Sequence, residues 1–163
     1  MANGFRALRT VTGGAQQLTE YPLVSGYATS IYNGDLVKLN AGNVELAADT
    51  DTNLGTFVGV MYVNAQGEQK FSPMWTGGTA GTDIRVLVSA DVGVTYKVEV
   101  SAGTNQAGVT GKLVAAAGTD STGLSNETFN ADGVSTQATI RKVLDQENGA
   151  DMAEVVLTSV MGV

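Results

Sequence analysis

The chain has 163 residues, and its 16 acidic and 9 basic side chains give a formal net charge of −7. It contains no Cys and no His, which excludes disulfides, thiolate nucleophiles, imidazole acid/base groups and the commonest zinc, copper and haem ligands. A negative charge disfavours nucleic acid, and no apolar run reaches the ~18 residues of a membrane-spanning helix. We therefore expect a non-enzymatic protein without a cofactor, a metal, a nucleic-acid partner or a membrane partner.

The first 25 residues predict an extended N-terminal arm, because they show no sustained period of 2 or 3.6 and are interrupted by Gly13-Gly14. The first 19 residues carry Arg6 and Arg9 and no acid, whereas the remaining chain holds seven basic and sixteen acidic groups. The arm either makes a contact of its own or is a frayed terminus. Its two arginines also interrupt any apolar signal segment, so we expect synthesis and residence in a cytoplasm.

Residues 26 to 163 predict a single β domain that starts with a meander between Tyr32 and Val60. Asn33-Gly34 is the dipeptide that most readily adopts positive φ, and Ala41-Gly42 lies between two short β-rich runs. The order is therefore strand, turn, strand, loop, strand. A short antiparallel sheet is expected here.

Further strands are indicated by alternation of apolar and polar residues, which places one face on a core and one in water. The alternating apolar positions are Val44 and Leu46; Ile84, Val86 and Val88; and Tyr96, Val98 and Val100. Helix propensity is weak, because the longest candidate, Ala107 to Ala117, contains Gly108 and Gly111. The sequence thus predicts an all-β fold, a barrel or sandwich-like domain of about nine or ten strands.

One strand, Phe57 to Val63, is apolar on both faces. Such a strand is covered on one side by the core and on the other by a second layer or another subunit. A monomer of this size would leave part of it exposed, so Phe57, Met61 and Tyr62 are candidate subunit-interface residues.

Residues 101 to 137 are compositionally unusual, since 25 of these 37 residues are Gly, Ala, Ser, Thr or Asn. They predict either a disordered linker or, the interpretation we favour, an ordered surface excursion. The side chains expected to pin it are Val109, Leu113, Val114, Leu124 and Phe129. Residues 138 to 163 follow as a closing strand pair, Ala138–Leu144 with Ala153–Val160 across the polar loop 145 to 151.

The sequence contains no complete motif for metal binding, phosphate binding or catalysis. Asp49 to Asn53 places oxygen atoms at alternate positions as a calcium loop does, but Leu54 and Val60 occupy the places of the required Gly and Glu. The Gly-rich segment 76 to 82 lacks the Lys of a phosphate loop. A pair among the sixteen acids could still meet as in a glycosidase, although exposed aromatics for sugar are few. We expect no catalytic residues.

Two sets of segments resemble the small head decoration (cement) proteins of tailed phages. The first set is Gly-Asp-Leu-Val at 34–37, Gly-Asn-Val-Glu-Leu-Ala at 42–47 and the Gly-Val strand near Val60. The second is Asp-Val-Gly-Val-Thr-Tyr-Lys-Val at 91–98, Thr-Gly-Leu-Ser at 122–125 and a final strand pair. The best-known members of that family are shorter than this chain.

The resemblance implies a structural virion protein on the outer surface of an expanded capsid. Such proteins commonly bind as trimers at three-fold positions and clamp adjacent major capsid protein subunits against internal DNA pressure. Localisation in the virion, after synthesis in the host cytoplasm, would follow. The alternatives are a phage tail or fibre component and a β-rich carbohydrate-binding or adhesion module.

The N-terminal arm is the expected contact with the capsid or a neighbouring subunit, through Phe5, Arg6, Leu8 and Arg9. An extended arm can add a strand to an exposed sheet edge, and its arginines would face acidic groups. On this interpretation, deletion of residues 2 to 20 abolishes capsid binding and leaves the domain folded.

Overall fold

Fourteen β-strands and no helix form the regular structure of the residues that the computed structural model describes, 3–49, 51–90 and 93–158. The predicted all-β, sandwich-like class is confirmed. No helix in these ranges is long and apolar enough to cross a membrane. The strands are β1 (Arg6–Thr10), β2 (Thr19–Pro22), β3 (Ile31–Tyr32), β4 (Leu36–Asn40), β5 (Asn43–Leu46), β6 (Gly55–Val63), β7 (Gln69–Ser72), β8 (Met74–Trp75), β9 (Thr82–Ser89), β10 (Val94–Gly103), β11 (Thr110–Val114), β12 (Thr128–Ala131), β13 (Ala138–Glu147) and β14 (Ala150–Leu157).

The first sheet is built around β10 and has the order β1-β10-β12-β11-β13-β14, with a further pairing of β10 to β14. The ten residues of β10 are enough to pair with β1 through 94–97 and with β12 through 100–103. Its partner β14 pairs along 95–99. Five strands, β10, β14, β13, β11 and β12, therefore close a circuit of pairings, and β1 stays outside it with one partner among the described strands.

The second sheet has the order β2-β9-β6-β4-β5, and β7 pairs with β6 off this path. It contains the three antiparallel strands predicted between residues 32 and 60, and the hairpin of β4 and β5 is confirmed. The predicted meander is wrong in its order, because in the described structure β6 pairs with β4 and not with β5. The turn between β4 and β5 has positive φ at both central residues, Ala41 (48°) and Gly42 (84°). This is the backbone that matches the twist of a two-residue hairpin. A two-stranded sheet, β3 with β8, completes the pairing.

Each large sheet has its own hydrophobic cluster, and β4 lies between the two. Leu36 belongs to the cluster of the first sheet, and the next residue, Val37, to the cluster of the second. Successive residues of a strand point to opposite faces. The two consecutive apolar residues are therefore both buried. The alternating positions predicted for β9 and β10 are buried in these clusters as well.

The closing strand pair is confirmed for its described residues, since β13 and β14 form an antiparallel hairpin. Its turn is shorter than the predicted loop of 145 to 151, because only Asn148 (φ 52°) and Gly149 (φ 81°) remain between the strands. The polar residues on either side continue the ladder, as a strand with one wet face allows. Residues 159 to 163 of the predicted strand and domain lie outside the described ranges.

Residues 101 to 137 are only in part the surface excursion that the composition predicted. They contain β11 and β12, which pair with each other and with β13 and β10. Leu113 and Phe129 are fully buried in the first cluster, whereas Val114 and Leu124 are exposed. A Cβ at Gly111 would lie 2.0 Å from the Asn130 carbonyl oxygen, so the small residues here allow close backbone approach. The segment therefore contributes to the first cluster through a few strand positions.

Candidate functional site

The N-terminal segment supplies the outermost strand of both large sheets. In the described structure, β1 pairs only with β10 and β2 only with β9. These nine residues are extended, as predicted for the N-terminal arm, but they are paired strands of the two sheets and not an arm separate from the domain. Alternation failed as a signal because an outermost strand has few positions that face a core. We call β1, β2 and the residues between them the N-terminal edge.

Phe5 is not available for a partner. Its side chain is fully buried in the first cluster, and its backbone N–H donates to the Gly34 carbonyl at 2.8 Å. The preceding Gly4 has φ of 64°, and a Cβ there would lie 2.5 Å from the Ser125 side chain. The chain enters β1 through a crowded, specific turn. Phe5 thus anchors the N-terminal edge to the domain, which corrects its predicted role as a contact residue.

Arg9 binds an acid of its own chain. Its Nε and Nη2 donate to the two carboxylate oxygens of Glu154 at 2.9 and 3.0 Å. Glu154 is buried on β14, and the hydrogen bond from Arg9 lowers the pKa of this carboxyl below its usual range. The Thr95 hydroxyl donates to the Arg9 carbonyl at 3.3 Å. A bidentate pair of this kind fixes orientation as well as charge.

Arg6 also pairs with an acid of its own chain, through a single and longer contact. Its Nη2 lies 3.4 Å from Glu147 Oε2, and Lys97 Nζ binds the same carboxylate oxygen. The acidic groups that Arg6 and Arg9 meet in the described structure belong to the β13–β14 hairpin of this chain, whereas the prediction concerned acidic groups of a partner. Whether the arginines also contact a partner stays a prediction. Their first effect is to hold β1 on the sheet.

Replacing Glu154 by Gln is expected to reduce the loss of stability on acidification. The folded-state pKa of Glu154 is depressed, so its contribution is present above the usual value of 4.5 and is lost as pH falls through the folded-state pKa. The measurement is the urea midpoint from about pH 6 to about pH 2. Glu147→Gln is the comparison variant: Lys97 also lowers the pKa of Glu147, but this carboxylate is 43% exposed, so water screens its pairing and the change should be smaller. Parallel pH profiles of wild type and Glu154→Gln would contradict the assignment.

Leu8 is the predicted contact residue that the structure leaves free to make one. It has no Cα partner on β10, because the register shifts between Ala7 and Arg9, and its side chain is 47% exposed. A bulge of this kind turns a side chain out of the ladder. Val11 and Leu18 are exposed in the same segment. These two additional apolar residues were missed because a segment without periodicity offers no pattern to select them.

The predicted interface residues of β6 are Phe57, Met61 and Tyr62, and they differ in how deeply they are buried. Phe57 is fully buried in the second cluster, and Tyr62 is half-buried with its ring edge-on to Trp75 at a centroid distance of 5.8 Å. Met61 is also half-buried. β7 pairs beside β6 in the same sheet, and its Phe71 side chain lies close to Gly59, where an added Cβ would be 2.9 Å from the ring. The exposed aromatic is Phe71 itself, at 63%.

Three of the predicted residues do meet. Phe5, Arg6 and Phe57 line one cleft of about 430 Å³ together with Leu18 of the N-terminal edge. The sequence could not show this proximity, because β1 and β6 belong to different sheets.

The acidic loop after β5 binds lysines. Lys112 Nζ lies 2.8 Å from Asp49 Oδ2, and Lys38 Nζ lies 2.9 Å from Asp51 Oδ2. Within the described ranges, no three His, Cys, Asp or Glu side chains are grouped to hold a metal ion.

Comparisons of this chain with protein-family models, with curated proteins and with solved structures found no match.

Proposed function

We propose that this chain is a structural virion protein that binds the outer surface of a tailed-phage head and joins neighbouring major capsid protein subunits. The observation that supports it is the N-terminal edge: the outermost strands of both sheets lie on one continuous segment, and that segment exposes Leu8, Val11 and Leu18. An outermost strand offers N–H and C=O groups to an added strand.

The contacts within the chain suit this role. Phe5 and the Arg9–Glu154 pair hold β1 in place, so a partner strand would add to a pre-ordered template. Pre-ordering reduces the entropy that binding costs. The protein then acts as a clamp between two capsid subunits, with one on each sheet edge. A trimer on the shell, as the resemblance implies, remains part of this proposal.

The test is to add the purified protein to expanded heads, made without it, of the phage that encodes it. Leu8→Asp is expected to weaken head binding tenfold or more, because a charge would be buried at the centre of the contact. Val134→Asp is the matched control and should bind as wild type, since Val134 is 84% exposed on the turn after β12. Binding is measured by co-sedimentation with the heads.

Equal co-sedimentation of wild type and Leu8→Asp would refute the N-terminal edge as the contact. Gold-labelled protein found on tails or fibres in virions would favour the tail or fibre alternative. Specific signals on a glycan array, with no binding to heads, would favour the carbohydrate-binding alternative. Circular dichroism of each variant checks that the domain is folded.

A further inference from the structure

A second cleft, separate from the N-terminal edge, opens between the region of β3 to β5 and the segment that follows β11. It has a volume of about 430 Å³. Its walls are apolar and small: Tyr32, Leu46 and the exposed alanines 115 to 117. The hydroxyl residues Thr29 and Ser30 lie at its rim, and two carboxyl groups, Asp35 and Glu127, complete the lining.

Asp35 is only half satisfied. Its Oδ2 accepts the Tyr32 backbone N–H at 2.8 Å, but its Oδ1 accepts no hydrogen bond in the described part of the chain. The residue is 2% exposed. A buried carboxylate oxygen without a donor costs free energy that a bound donor would recover. The unpartnered oxygen is itself shielded from solvent, and it belongs to a residue that lines the cleft.

Glu127 faces the same cleft and is 1% exposed. Its Oε2 accepts the Leu36 backbone N–H at 2.9 Å. Burial, and then the charge of Asp35, raise the pKa of Glu127 well above its usual value. Burial likewise raises the pKa of Asp35 to about 6, against the lowering effects of the Ser125 hydroxyl and the Tyr32 N–H.

Neither carboxyl has a cationic partner among the ion pairs of the described residues. The remaining titratable group on the cleft is Tyr32, whose hydroxyl donates to Asp120 at 2.7 Å and therefore points its proton away from the two acids. The cleft thus brings two carboxyl groups together, and none of the lysines or arginines in the ion pairs of the described residues faces them.

We propose that this cleft binds an alkylammonium group, the end of a lysine side chain from a partner protein. The ammonium N–H groups would bind Asp35 Oδ1 and Glu127, and the methylene stem would lie on Leu46 and the alanines. A lysine fits these walls because its charge is compact and its stem is apolar. Within the described residues, no third His, Cys, Asp or Glu side chain joins these two carboxyl groups to form a metal-binding cluster.

The probe is n-butylammonium, and n-butanol is the neutral control of similar shape. Binding of each is measured from the NMR chemical shifts of the backbone amides of the full chain. At about pH 8 we expect a Kd of roughly 1 to 10 mM for n-butylammonium, with shifts at residues 115 to 117, and at least tenfold weaker binding of n-butanol. At about pH 5 the affinity for n-butylammonium should fall about tenfold, because Asp35 becomes protonated.

Asp35→Asn should abolish the preference for n-butylammonium over n-butanol. The amide oxygen can still accept the Tyr32 N–H, so this variant retains the structural bond. Asp132→Asn is the control, because that carboxylate caps an exposed turn far along the chain, and it should bind as wild type. If Asp35→Asn does not fold, the proposal is still tested on the wild-type protein, by the pH dependence of n-butylammonium binding and by the comparison with n-butanol. Equal binding of the two probes, or affinity unchanged by pH, would overturn the proposal whatever the result with phage heads.

Discussion

Phe129→Ala is expected to lower the free energy of unfolding by about 3–5 kcal/mol. Phe129 is fully buried on β12, inside the segment of 101 to 137 whose composition predicted a surface position. Its ring lies against Gly111, where a Cβ would approach it to 2.6 Å, so the site is tightly packed and collapses poorly around a smaller side chain. The truncation therefore creates a cavity in the first cluster.

The measurement is unfolding in urea, monitored by circular dichroism. The dependence of the unfolding free energy on urea concentration is compared between variants. Val114→Ala is the matched control, because Val114 lies in the same segment on the neighbouring strand and is exposed. It should change stability by about 0.5 kcal/mol or less. Similar small losses for both variants would show that this segment contributes little to the core.

Phe5→Ala is expected to cost a similar amount, about 3–5 kcal/mol, although Phe5 is the fifth residue of the chain. Its ring belongs to the first cluster and its N–H is bonded to Gly34. Leu8→Ala, three residues further on, should cost about 0.5 kcal/mol or less, because Leu8 is exposed and outside the ladder register.

The two variants separate folding from binding. Thermal and urea midpoints should fall for Phe5→Ala and stay near wild type for Leu8→Ala, whereas head binding by the folded fraction should weaken for Leu8→Ala. The sequence alone predicted that deleting residues 2 to 20 leaves the domain folded. The buried Phe5 ring predicts instead that this deletion destabilises it. A deletion variant as stable as wild type would contradict the structural assignment of Phe5.

Local patterns were sufficient wherever a strand has one face on a core and a turn has a residue that prefers positive φ. The hairpin at Ala41-Gly42, the buried positions of β9 and β10, and the closing hairpin were predicted from such signals. Each depends on residues close in sequence, and alternation or a turn preference is visible within a few positions. Composition also determined the all-β class, because weak helix propensity left no competing element.

Tertiary structure decided which residues are exposed in the segments without a pattern. Phe5 and Leu8 looked equivalent in the sequence, yet Phe5 is buried in the first cluster, with its N–H bonded to Gly34, and Leu8 is exposed at a bulge of β1. Glu127 and Asp35 lie 92 positions apart and meet only because β12 and β4 belong to adjoining sheets. Burial, ion pairing and shifted pKa values depend on neighbours distant in the chain, and a single sequence carries no signal for them.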